Sequence, residues 1–192
     1  DDGFAFNQFN AEELVVSFSP VPKTQAQGTV SGYVSGGRSA PSPLSTNVIQ
    51  KFPFATDTNA TDVGDLTQTR TGAAGASSSA SGYSSGGGLT PTVVNTIDKF
   101  PFATDGNATD VGDLTVARWL PAGQSSTESG YTSGGRTGPS GAGLNTIDKF
   151  PFATDGNATD VGDLTLGRYG NDNGQSSAVS GYTSGGSPWP AP

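Results

Sequence analysis

The chain has 192 residues, a formal net charge of −8, and no cysteine, histidine or methionine. Without Cys and His it has no disulfide, no thiolate nucleophile, no imidazole base and few of the usual transition-metal ligands. Its nine Lys and Arg stand singly, giving no basic stripe for a nucleic acid, and no apolar run nears the roughly 18 residues of a membrane-spanning helix.

Hydrophobic residues make up 32% of the chain, few for a packed domain. Yet Phe, Ile, Val, Leu and Tyr return at fixed places, which disordered segments do not do. Residues 95–115 recur almost letter for letter at 145–165 and with small changes at 47–67. Between them runs a second refrain, Gly-Tyr-x-Ser-Gly-Gly, carrying Tyr33, Tyr83, Tyr131 and Tyr182. A period of this length is the signature of a propeller, a solenoid or an array.

Residues 1–37 read as a degenerate first unit. Phe4-Ala5-Phe6 falls on Phe52-Pro53-Phe54, a separation of 48; the next two separations, Phe52 to Phe100 and Phe100 to Phe150, are 48 and 50. Residues 11–16 then lie near 60–66, and Pro22-Lys23 stands where Arg70, Arg118 and Arg168 stand. The units run approximately 1–37, 38–87, 88–135 and 136–186, with a tail at 187–192, all in one repeat domain. The sequence starts at Asp1 with no apolar leader, so it reads as a processed product or part of a longer protein.

Each unit offers four short strands: a small-residue run such as 122–126, the refrain at 129–133, residues 96–102, and a fourth around 111–117. Gly, Pro and Asp bound them at regular spacing, which argues for an all-β sandwich, barrel or propeller. Residues 12–18 are the nearest thing to a helix, and Val15-Val16 with Pro20 favours a strand there. The chain begins inside one unit and stops after the tyrosine refrain of another. Its last strands are therefore expected to complete the blade its first strands begin, hiding a sheet edge.

Several patterns bear on chemistry. Asp57 and Asp62, Asp105 and Asp110, and Asp155 and Asp160 supply oxygens at a spacing somewhat like a calcium loop. They lack that loop's central Gly and terminal Glu, and turns capped by Asp and Asn are the plainer reading. Asn59, Asn107 and Asn157 head Asn-Ala-Thr sequons, acceptors for N-glycosylation on a eukaryotic secretory route. Arg70, Arg118 and Arg168 each follow Asp62, Asp110 and Asp160 by eight residues, predicting an Arg–Asp brace between neighbouring blades. Trp119, Tyr169 and Trp189 interrupt the repeat and are candidate anchors for a partner or a sugar ring.

The unit resembles a kelch repeat: Tyr131 followed by Gly134-Gly135, aromatics of the Phe100 type about fifteen residues on, and an Arg before a small-residue strand. Val111 or Leu114 stands where that family usually carries Trp. The Phe-Pro-Phe-Ala-Thr-Asp refrain also makes the chain similar to repeat-bearing proteins of marine viruses that infect cyanobacteria. The resemblances imply an all-β, kelch-like propeller of four units whose terminal strands close the ring, with a β-solenoid or fibre as the alternative. They imply a virion or extracellular location, and other copies of the chain or other structural proteins as partners. The expected function is a non-enzymatic structural or adhesive component of a virion appendage or fibre. A soluble carbohydrate- or protein-binding propeller, with surface glycans as ligands, is the alternative. No cofactor beyond calcium is expected.

Overall fold

A computed structural model describes residues 30–38, 45–89, 91–170 and 173–188. The expected first-unit strands at 4–6 and 12–18, and Trp189, lie outside the described residues. Among the described residues the secondary structure is entirely β. The strands are β1 (Ser31–Arg38), β2 (Ser45–Pro53), β3 (Thr61–Asp65), β4 (Ala74–Ser77), β5 (Ser81–Ser85), β6 (Gly88–Leu89), β7 (Thr92–Val93) and β8 (Thr96–Pro101). They continue with β9 (Thr109–Asp113), β10 (Ala122–Ser125), β11 (Ser129–Ser133), β12 (Thr146–Pro151), β13 (Thr159–Asp163), β14 (Asn173–Ser176) and β15 (Gly181–Ser184).

These strands make three antiparallel meanders and two two-stranded hairpins. Sheet 1 has the order β1-β2-β3, sheet 2 β4-β5-β8-β9, sheet 3 β10-β11-β12-β13, and sheet 4 β14-β15; β6 and β7 pair separately. Each four-stranded sheet straddles two sequence units, since the variable loop lies inside the sheet.

Local chemistry explains the turns. Between β4 and β5, Ser78 Oγ accepts from the backbone N–H groups of Ala80 and Ser81, and Ser126 and Ser177 repeat the device. A serine hydroxyl held so close to its own backbone stabilises a tight reversal. β5, β11 and β15 each stop at a glycine pair, and in β1 the pair lies at a register shift inside the strand; Gly86 and Gly87 have φ of 65° and 85°, conformations that cost any side chain with a Cβ.

The fourth strand differs from expectation. It occupies Thr109–Asp113, not 111–117. Leu114 N already bonds to Asn95 O, and Thr115 turns away toward Asp148, so the chain leaves the sheet early.

The sheets stack face to face. Along β8 the side chains alternate, as a strand requires. Asp98 and Phe100 meet the residues of sheet 1, whereas Ile97 and Lys99 meet those of sheet 3. Both faces of sheet 2 are therefore covered, which is why Ile97 and Asp98, neighbours on one strand, are both fully buried. The first strands carry the close approach. β10 packs between β4 and β14, and Ser77 N bonds to Ser125 Oγ as Ser125 N bonds to Ser176 Oγ. A Cβ on Gly123 or Gly174 would collide with the carbonyl of Gly75 or Gly123, so only glycine fits there. One cavity is walled by β1, β4, β10 and β14, so all four sheets border it.

Candidate functional site

The residues that recur most faithfully converge at the joint between one sheet and the next, and this joint is built twice. Its apolar part between sheets 1 and 2 is Ile49, Leu66, Phe100 and Ala108, with Tyr33, Val63 and Phe102 against them. Between sheets 2 and 3 the same places hold Ile97, Leu114, Phe150, Ala158, Tyr83, Val111 and Phe152. Tyr33 stacks on Phe102 at 4.7 Å and tilts against Phe100 at 5.6 Å; Tyr83 does the same to Phe152 at 4.8 Å and Phe150 at 5.5 Å. Phe100 also lies over Gly82 and Phe150 over Gly130, where a Cβ would strike the ring. That contact explains the glycine before each refrain tyrosine.

The polar part is a buried ion pair. Arg70 leaves the end of sheet 1 and donates from Nη2 to Asp98 on β8 at 2.9 Å, and from Nη1 to the carbonyls of Gly86 and Thr96 at 3.1 Å each. The carboxylate of Asp98 also accepts from Thr67 N at 2.9 Å and Thr67 Oγ1 at 2.7 Å. Arg118 repeats this with Asp148 at 2.9 Å, the carbonyls of Gly134 and Thr146, and Thr115. Both pairs are fully shielded from solvent. Burial pushes each guanidinium below the usual arginine range, and the neighbouring aspartate opposes that shift. Nearly complete hydrogen bonding makes so dry a pair tolerable.

The expected brace therefore exists with a different partner. Asp62, Asp110 and Asp160 cap their own turns, each accepting from the N–H two residues on, at Gly64, Gly112 and Gly162. The aspartate that meets Arg70 comes 28 residues after it, from the next sheet. Asp62 is exposed on β3 and held by its own turn, whereas Asp98 comes buried from the next sheet to lie beneath the guanidinium.

The rim is set by the loop after Phe102. Lys51 donates to Asp105 at 3.0 Å and Lys99 to Asp155 at 2.9 Å, which raises both lysines above their ordinary value. Asn107 Oδ1 accepts from Asp65 N, and Asn157 Oδ1 from Asp113 N, both at 3.0 Å. The sequon asparagines Asn107 and Asn157 thus cap the preceding sheet's last strand, while Asn59 lies on the outer loop of sheet 1 and is exposed. Of the six aspartates considered for calcium, five already hold a lysine or a turn, and Asp57 is exposed on the sheet 1 loop. Among the described residues no three acidic side chains converge as ion ligands. The donor set fits a rim of clamps and caps.

Trp119 and Tyr169 are brought together: Arg136 lies between their rings, 4.8 Å from one centroid and 4.4 Å from the other. They do not interrupt the repeat. Thr71, Trp119 and Tyr169 all follow the joint arginine, and they bridge to Gly88, Arg136 and Ser187 respectively. Asp98, Asp148, Thr67, Thr115 and the lysines escaped the sequence reading, although each sits at a constant offset from the refrain phenylalanine. Comparison with protein-family models and with curated proteins finds no match for this chain. What the fold and the joint define is an all-β repeat array of antiparallel sheets.

Proposed function

We propose that this chain is a non-catalytic structural module, its sheets acting as blades of a small kelch-like β-propeller, in a virion appendage or an extracellular fibre. One observation carries the reading: the same joint is made twice from the same residues, so the recurrent side chains are spent on holding sheet to sheet. A catalytic site needs a unique constellation, and the residues that a chain repeats are poor candidates for one. The common cavity bordered by all four sheets supports a ring of blades over a straight stack. Trp119 and Tyr169, two of the three aromatics on which a glycan-binding role would draw, each stack on Arg136, which supports a bracing role for them.

Electron microscopy with light scattering across a concentration series tests this. Filaments, or particles carrying the chain, are the expected result. A monodisperse particle at every concentration, with no structural partner recovered, would overturn the assembling role.

A further inference from the structure

The joint is built twice, but one cluster of side chains is built only once. It lies one residue past the joint arginines, at the place shared by Thr71, Trp119 and Tyr169. The residues bridged to them are Gly88, Arg136 and Ser187, so an arginine stands in one copy alone. The following position is glycine in two copies, Gly72 with φ of 59° and Gly170 with φ of 72°, and leucine in the third. Leu120, with φ of 57°, is the one residue other than glycine with positive φ among the described residues.

These departures do not help the fold locally. A leucine in the left-handed region crowds its own Cβ, in a conformation that the two glycines adopt freely. Trp119 Nε1 and Arg136 Nε are buried without a hydrogen-bond partner among the described residues. Arg136 has no carboxylate within ion-pair reach there either, unlike Arg70 and Arg118. Unfavourable choices gathered in one place mark a site that is kept for what it binds.

The same surroundings hold Arg136 still. Its N donates to Trp119 O at 2.9 Å and its O accepts from Trp119 N at 2.8 Å. The guanidinium lies between the two rings, and Nη1 donates to the carbonyl of Pro139 at 2.9 Å. A guanidinium covered on both faces can take a further partner only along its in-plane edge. On that edge Nη2 has no partner among the described residues and is not enclosed. With the second N–H of Nη1 it makes a planar fork, and the two oxygens of a carboxylate match such a fork.

We propose that Arg136, held in place by Trp119 and Tyr169, binds the carboxylate of an acidic sugar, a uronic-acid unit of a surface glycan. Two observations favour a sugar over an acidic peptide. The fork is a single cation on a chain of net charge −8 whose Lys and Arg stand singly, which suits one carboxylate per ring better than a run of aspartates. Beside it stand the half-buried Trp119, Leu120 and Tyr169, with Leu120 and the indole both lying against Gly72. Such apolar surface takes the C–H face of a pyranose ring. The site adds a ligand to the structural role above and is independent of how many blades close.

Trp189→Phe leaves Trp119 as the only tryptophan, so its fluorescence reports on the site. In that chain, at constant ionic strength, sodium glucuronate is expected to change the emission saturably. Glucose, which lacks the carboxylate, should not, and acetate, which lacks the ring, should bind about tenfold more weakly. Arg136→Lys keeps the charge but loses the fork, and should weaken glucuronate binding about tenfold, with a melting curve to show that the variant is folded. Arg38→Lys, exposed at the end of β1, should change nothing. Leu120→Gly installs the residue that the other copies carry, so it should fold and bind glucuronate severalfold more weakly. Equal responses to glucuronate and glucose, or to glucuronate and acetate, would overturn the site, as would no response to any of them. Unaltered binding in folded Arg136→Lys or in Leu120→Gly would do the same. If Arg136→Lys does not fold, the three probes and Leu120→Gly still decide. A stronger response to tri-aspartate than to glucuronate would overturn the sugar in favour of an acidic peptide.

Discussion

Tyr83 and Tyr182 hold the same place in the same six-residue refrain, on second strands of equal register. Tyr83 is 3% exposed and Tyr182 is 55% exposed. The difference lies in the next sheet: Tyr83 meets Phe150 and Phe152 of sheet 3, and no such aromatic pair covers Tyr182 among the described residues. In an array of this kind each unit contacts only its neighbours, so a residue's energetic weight is set by the sheet beside it. Gln50 makes the same point from the other end, since it stands where Asp98 and Asp148 stand, yet is exposed and lacks the carboxylate. Identical sequence buys burial only where a neighbour completes the joint.

The largest expected effect separates Asp98 from Gln50. Asp98→Asn leaves the Arg70 guanidinium buried without its counter-charge, and should cost about 3–5 kcal/mol in denaturant unfolding. Gln50→Ala should stay within about 0.5 kcal/mol. Similar midpoints for the two variants would show that the buried pair does not hold sheet 1 to sheet 2.

Next comes the tyrosine pair. Tyr83→Ala removes a ring packed against two phenylalanines and should cost about 3 kcal/mol, against about 1 kcal/mol or less for Tyr182→Ala. Alkaline unfolding sharpens the contrast. Burial raises the Tyr83 phenol above its ordinary value, so the folded state keeps that proton more tightly than the unfolded chain. The stability it contributes is present below about pH 10 and is lost as pH climbs through the raised folded value. Tyr83→Phe should flatten the alkaline fall in melting temperature; a slope equal to that of the parent chain would refute the assignment.

The smallest effect is at the rim. Lys99→Ala removes an exposed clamp on Asp155 and should lower the melting temperature only slightly, by an amount that about 1 M salt abolishes. A salt-independent loss would mean that the lysine stem, not its charge, does the packing.

Much of this architecture is legible in the chain itself. The first and second strands at 122–126 and 129–133 are observed at Ala122–Ser125 and Ser129–Ser133, because short runs bounded by serine turns and glycine pairs are locally specified. The fourth strand was less legible. Val111 and Leu114 suggest one apolar strand, but Leu114 lies past its end and fills the core from the exit turn. At the joint, the arginines and a brace to aspartate can be read from the repeat, and the partner cannot. Trp119 and Tyr169 look irregular in one dimension because Thr71, their small counterpart, hides the shared position.

By itself, then, the sequence determined the period, the antiparallel meander and the refrain whose tyrosine faces a neighbour. These depend on hydrogen-bond register and turn chemistry within some twenty residues, a range over which strands and tight turns are locally encoded. Tertiary structure decided which aspartate meets each arginine, which asparagines cap a strand, and which copies of one residue are buried. Those outcomes depend on how one twisted sheet lies over the next, a geometry that brings residues about 30 positions apart into contact by burying both faces of the intervening sheet.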